Sequence, residues 1–412
     1  MNPCPGNADF IKKDDGRLIK RCTDCSFPHK PENYEKIIRL LRAKKDVAAN
    51  HEYHHGGEAV PLLPCGKTDD SFIDFSVNVN PLGIPEKIKE YIKNDIYSLN
   101  LCEKYPDQNC SRLRKKLMDW IPENRGNDVS FEILKNLSPE NIVFGNGASE
   151  LISLAVNALS PKDALLVSPT FSGYERALKI CDCRLHYVQL SEERDFKLGE
   201  EIFDFISRIY PDVIFLCNPN NPTGRMLDKE LFEKILQVCE EKGIFLFVDE
   251  CFIDFTERFD ETALQFAGKF SHLIVLNAFT KIFAMAGLRL GYLVSSNPAL
   301  INKINFLRPE WNVSTVAQYA GEKMLDEPGY VQNTRNIIKN ERNFLSKELK
   351  ALGFKVYLSE VNFILFRADA EKDIPFLRNC GNFRGLDKKF WRTAVRTHEE
   401  NEKLIAELKK IF

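Results

Sequence analysis

The stretch NIVFGNGASELISLAVNALSPKDALLVSP, residues 141–169, decides how the fold is read. NIVFGN is a short apolar run that ends in small and polar residues, ASELISLAVNAL places its apolar residues at helical spacing, and ALLVSP is apolar again. Strand, helix, strand is the βαβ unit. The rhythm continues through a helix at SGYERALKICD, strands at RLHYVQL and DVIFLCNP, a helix at DKELFEKILQVCEEKG, and strands at IFLFVDE and LIVLNAF. This alternation predicts an α/β fold, a parallel sheet with helices on both faces. Ligands in such sheets gather at the carboxyl ends of the strands, so function is sought there.

After NKINFLRPEWNVS the pattern changes. A long helix is predicted over YVQNTRNIIKNERNFLSKELKALG, then shorter strands at FKVYL and NFILFRA, then a last helix over HEENEKLIAELKKI. We expect a large domain over 101–305 and a smaller α+β C-terminal domain over 306–412, with 51–100 as an N-terminal arm that joins the small domain. Residues 1–50 read as a charged, cysteine-bearing extension with a helical stretch around ENYEKIIRLLRAKK.

Lys plus Arg number 57 against 59 Asp plus Glu, a net charge near −2. That balance gives no electrostatic reason to expect nucleic acid or an anionic membrane as partner. The expected ligand is small. No apolar run is long enough to span a bilayer, and MNPCPGNADFIKKDDGRLIKR lacks the apolar core of a secretory signal, so a cytoplasmic location is expected. Of the 12 cysteines, Cys181, Cys217, Cys239 and Cys251 fall in apolar runs, where a reduced thiol acts as a small hydrophobe. Cys4, Cys22 and Cys25, with His29 and Cys65 not far off, have the spacing of half a zinc site and are equally ordinary thiols of an arm.

Four stretches stand at strand ends. In FGNGASE, residues 144–150, a strand meets two glycines and a helix start. The N–H groups of Gly147, Ala148 and Ser149, the Ser149 hydroxyl and the helix dipole there suit a phosphate. In CNPNNPTGR, residues 217–225, two X-Pro turns fix Asn221 where its amide donates to a phenolic oxygen. In FLFVDECFIDF, residues 245–255, Asp249 ends a buried strand and calls for a cationic partner. In NAFTKIFAMAGLRLGY, residues 277–292, an apolar setting disfavours the charged form of Lys281 and leaves a nucleophilic amine, while Arg289 offers a planar fork to phosphate. An imine partner, a pyridinium partner, a phenol-oxygen donor and a phosphate cradle together meet the demands of pyridoxal 5′-phosphate.

The order glycine turn, NPTG, buried DE, then TK with GLRLGY resembles the fold-type I pyridoxal-phosphate enzymes, in the aminotransferase branch that contains histidinol-phosphate aminotransferase. The resemblance runs from about residue 51 to the C-terminus, and it implies a large domain built on a mostly parallel seven-stranded sheet. It also implies Lys281 as the Schiff-base lysine, Asp249 on the pyridine nitrogen, Asn221 on the ring oxygen, Arg289 on the phosphate beside Ser149 and Thr280, and Phe171 stacked on the ring.

Within that branch HHGG (54–57), DFSVNVNPLG (74–83), EKYPD (103–107), DECFIDF and CGNFRGLDKKFWRTAVR look like the threonine-phosphate decarboxylases, which make aminopropanol phosphate for the cobamide (cobalamin) side chain. Phe252 stands where many aminotransferases of the branch carry a tyrosine, as it does in the decarboxylases. By this resemblance Arg392 forks the substrate's α-carboxylate, Arg378 and His55 hold its phosphate with Asn80 beside them, and Tyr105 reaches the neighbouring subunit's cofactor phosphate in a homodimer. Ala278 departs from the pattern, replacing a serine three positions before the lysine.

The expected activity is decarboxylation of O-phospho-L-threonine or of an analogue such as O-phosphoserine. The alternatives are an aminotransferase for histidinol phosphate or another phosphorylated or phosphonate amino acid and, in a different class, a non-catalytic binding or regulatory protein on the same fold.

Overall fold

Strands that read as unbroken apolar runs are those covered on both faces. β6 (Val213–Cys217) and β8 (Leu273–Ala278) are buried at every position, and β7 (Phe245–Asp249) at all but its first. The computed structural model describes residues 8–12, 18–22, 73–98, 100–125, 136–368 and 374–412. The chain divides into two units, Met1–Glu52 and Tyr53–Phe412. In the first, β1 (Ala8–Lys12) and β2 (Leu18–Cys22) form an antiparallel hairpin with Ala8 opposite Cys22, an element the sequence reading did not contain. The helix expected at ENYEKIIRLLRAKK lies outside the described residues.

The second unit holds a seven-stranded sheet. With β3 (Ile142–Gly145), β4 (Asp163–Ser168), β5 (Arg184–Gln189) and β9 (Gly291–Val294), its order is β3-β9-β8-β7-β6-β4-β5. β5 through β8 run parallel with β4 among them, while β9 is antiparallel to both β8 and β3, so the sheet is mostly parallel. From β4 the chain goes outward to β5 and then returns to β6 on the other side of β4. That reversal opens a crevice at the carboxyl ends of β4 and β6.

The helices that cover the sheet carry their own start and stop signals. Asp228 accepts from the N–H groups of Glu230 and Leu231 to cap the helix Lys229–Lys242, and Gly243 closes it at φ 67°. Beneath the crevice Tyr174, Phe215 and Phe247 stack in series, at 5.2 Å and 4.7 Å between ring centroids. The second acid of the buried DE pair is structural. Glu250 accepts from the Thr262 hydroxyl at 2.5 Å and the Ala263 N–H at 2.6 Å.

A second, antiparallel sheet is C-terminal: β10 (Lys355–Val356), β11 (Phe363–Arg367), β13 (Phe390–Ala394) and β12 (Arg378–Asn379), in that spatial order. The helices Tyr330–Ala351 and His398–Ile411 accompany it, where the sequence predicts them. Glu192, just past β5, accepts from Lys355, the Tyr357 hydroxyl and Arg367, each at 2.6 Å, tying this sheet to the edge of the large one. Phe75 joins it from the N-terminal side, its N–H donating to Phe376 and its carbonyl accepting from Ala394. Among the described residues no helix is long and apolar enough to cross a membrane.

Candidate active site

The crevice at the strand ends opens into a cavity of about 370 Å³. Ten of the sequence-predicted residues line it together: Ala148, Ser149, Phe171, Asn221, Asp249, Thr280, Lys281, Arg289, Arg378 and Arg392. They come from separate strand ends of the large sheet and from two adjacent strands of the small one. Four of these side chains are cationic and one is a carboxylate, so the cavity suits a polyanion.

Lys281 sits on a one-turn helix, Phe279–Ile282, directly after β8. Burial pushes its amine down to about 8, and the Arg392 charge pushes the same way. Its Nζ lies 6.0 Å from the centre of the Phe252 ring. The protein groups bonded to Asp249 are two neutral donors. The Tyr174 hydroxyl donates to Oδ2 at 2.6 Å and the Cys251 N–H to Oδ1 at 3.0 Å. Those bonds satisfy the carboxylate without an ion pair, which is why a charge rule applied to the sequence does not find Tyr174.

Arg392 is buried, and burial lowers its guanidinium to about 10. Its Nη1 donates to Asn221 Oδ1, its Nη2 donates to the Ser76 carbonyl at 2.9 Å, and the Asn78 amide, in the orientation its neighbours require, accepts from Nε at 3.3 Å and Nη1 at 3.2 Å. With its carbonyl side taken by Arg392, Asn221 has its Nδ2 donors for a ligand. Ser76, Val77 and Asn78 also line the cavity. The stretch 73–80 bends at Ser76 and Val77, and nothing local to DFSVNVN marks Asn78 as the cavity residue.

Asn80 does not line the cavity. Its amide donates to the Ile282 carbonyl at 2.7 Å and to Thr334 at 2.8 Å, and its N–H donates to the Lys281 carbonyl at 3.1 Å. It clips the lysine turn to the long helix Tyr330–Ala351, so its polar groups are already spent. Tyr105 lies outside the cavity, 79% exposed and stacked on Trp311 at 4.4 Å. His55, Cys4 and Cys25 lie outside the described residues, and Cys22 ends β2. Among the described residues no cluster of three or more metal-ligating side chains occurs.

The phosphate cradle of pyridoxal 5′-phosphate can be tested on the backbone. Gly147 has φ 82°, and a Cβ built there would lie 2.6 Å from Arg289 Nη2. Arg289 itself holds a left-handed φ of 59° while its Nη1 donates to the Ala286 carbonyl at 3.0 Å. Strain of this kind persists where the surroundings over-determine it. The glycine turn, the helix start at Ala148 and Arg289 therefore leave a space fitted to a phosphate. Gly147→Ala is expected to weaken cofactor binding at least tenfold, about 1–3 kcal/mol of backbone and steric strain, as measured by fluorescence titration of the apoprotein.

The sequence model of the family described as aminotransferase class I and II matches residues 70–408. The chain is 33% identical over 375 residues to the threonine-phosphate decarboxylase of Salmonella typhimurium, covering 87% of this chain and 96% of that one. It is 30% identical over 346 residues to the histidinol-phosphate aminotransferase of Caldanaerobacter subterraneus subsp. tengcongensis, covering 81% and 92%. The crystal structure of the histidinol-phosphate aminotransferase from Clostridium acetobutylicum superposes with a TM-score of 0.72 at 32% identity, over 82% of this chain and 99% of that one.

Proposed function

Because the chain belongs to the class I and II aminotransferases, enzymes of fold type I with pyridoxal 5′-phosphate as cofactor, we propose that it decarboxylates a phosphorylated amino acid, O-phospho-L-threonine or O-phosphoserine. The observation that carries this reading is the pairing of Arg378 with Arg392 across β12 and β13. Directly opposite residues of an antiparallel pair share a face, with Cα atoms about 4.5–5.5 Å apart, and like charges there repel. Two guanidiniums so placed favour an anionic ligand, even with Arg378 donating to Asn382 Oδ1 at 3.0 Å. A phosphorylated α-amino acid brings a carboxylate and a phosphate a few bonds apart.

Held in this cavity, pyridoxal phosphate would supply an electron sink for the bond broken at the substrate's α-carbon. The chain supplies placement and protons. Arg289 with the Gly147–Ser149 turn takes the cofactor phosphate, Asn221 donates to the ring oxygen, and Asp249 accepts from the ring nitrogen. Arg392 would fork the carboxylate and Arg378 would take the substrate phosphate, two anchors that fix how the α-carbon is presented for loss of the carboxylate. Lys281 delivers a proton to the α-carbon as CO2 leaves, and the product is a phosphorylated amino alcohol. Phe252 supports this reading, because no hydroxyl stands where the aminotransferases of the branch carry a tyrosine.

The reading includes a homodimer, in which exposed Tyr105 reaches the neighbouring subunit's cofactor phosphate. Incubation of the purified protein with each phosphoamino acid is expected to release CO2 and phosphorylated amine in equal amounts without 2-oxoglutarate. Keto acid formation that depends on 2-oxoglutarate would overturn decarboxylation. It would support the second reading, aminotransfer on histidinol phosphate or a related phosphorylated or phosphonate amino acid, which the similarity to histidinol-phosphate aminotransferases favours.

A further inference from the structure

We propose that Tyr174 is a positioning residue that orients Asp249 and biases the proton Asp249 shares with the cofactor's ring nitrogen toward the ring. The proposal rests on the reading of Asp249 as the ring's partner. Tyr174 stands in the first turn of the helix Ser172–Ile180, three residues after Phe171. It is 0% exposed, stacked on Phe215 at 5.2 Å and edge-on to Phe171 at 5.5 Å. Its hydroxyl donates to Asp249 Oδ2 at 2.6 Å, with the Cys217 thiol also beside it.

The groups that face Asp249 are few. Tyr174 comes from its helix, Cys217 from the register-paired end of β6, Cys251 from two residues onward, and Lys281 from the turn after β8. Burial pushes both thiols and the phenol well up, so all three stay neutral over the working range of an enzyme. Asp249 is therefore bonded by neutral donors.

A carboxylate that already accepts a short hydrogen bond is a weaker base toward the next donor. With the Tyr174 bond in place, the shared proton stays on the ring and the ring keeps its positive charge. That charge strengthens electron withdrawal and disfavours a second proton on the linkage at Lys281. Without the hydroxyl, the proton moves toward Asp249, and both effects fade.

The test is a spectrophotometric pH titration of the loaded enzyme. Tyr174→Phe is expected to raise the midpoint of the visible band by about one pH unit and to lower kcat about tenfold, with KM little changed. Asp249→Asn is expected to move the midpoint at least as far, and Tyr174→Phe added to it to move it no further. A midpoint that shifts in Asp249→Asn and stays fixed in Tyr174→Phe overturns the role of Tyr174. A midpoint that neither variant moves overturns the Asp249 reading beneath it. If Tyr174→Phe does not fold, site-specific fluorotyrosine at 174, a stronger donor of nearly the same shape, is expected to shift the midpoint downward. An upward shift or none overturns the proposal.

Discussion

Replacing Lys281 by alanine is expected to leave a folded protein that forms no Schiff-base absorption band with pyridoxal phosphate and turns over on the order of 10⁴- to 10⁶-fold more slowly. Lys281 lines the cavity, and among the described residues no other lysine lines it to replace it. The wild-type lysine also gives a pH signature. With its amine at about 8, on the order of a quarter of it is neutral at pH 7.5, against roughly one in a thousand for an ordinary lysine. The neutral form is the nucleophile, so cofactor uptake by the apoprotein is expected to rise with pH and level off above about 8. Stopped-flow absorbance on apoprotein across pH 6–10 measures it. A midpoint near that of a solvated lysine would contradict the desolvated site.

Separate replacement of the two paired arginines is expected to split the kinetics in two ways. Arg378→Ala should cut kcat/KM for the phosphorylated substrate by about 10²–10³-fold, the worth of a charge-assisted contact, and leave the slow reaction of unphosphorylated threonine almost untouched. Arg392→Lys should lower kcat for both substrates, about 10²-fold, because an ammonium cannot reproduce the fork. The buried guanidinium also holds Asn221, the Ser76 carbonyl and Asn78, so its loss loosens the donor to the cofactor ring. Steady-state kinetics on both substrates, with circular dichroism to confirm folding, checks the split. Equal losses on both substrates for Arg378→Ala would remove it from the phosphate.

Much of the large sheet is legible from local pattern, because β6, β7 and β8 are buried on both faces and read as uninterrupted apolar runs. The antiparallel insertion of β9 is not, since four apolar residues carry no direction. The cofactor side of the cavity is legible because each residue there has a chemical signature at a strand end. Asn78 and Tyr174 escaped for opposite reasons. Asn78 lies two residues before Asn80, where strict alternation puts both on one side and gives no reason to prefer either, and Tyr174 meets Asp249 across 75 residues, through packing that no local rule encodes. β12 was missed as well, being two residues long and defined wholly by its partner.

That short strand has a wider consequence. Arg378 and Arg392 are the jaws of one gauge, carried by a single sheet, so on the proposed reading the interval between the two anions would be set by backbone pairing as well as by side-chain flexibility. β12 is an edge strand, joined to β13 through the connection Cys380–Lys389. A slip of that pairing by one residue would turn Arg378 to the opposite face, and a slip by two would move it about 7 Å along the strand. New substrate lengths would thus be reachable by resetting one short pairing, with the residues of the large sheet's strand ends left unchanged.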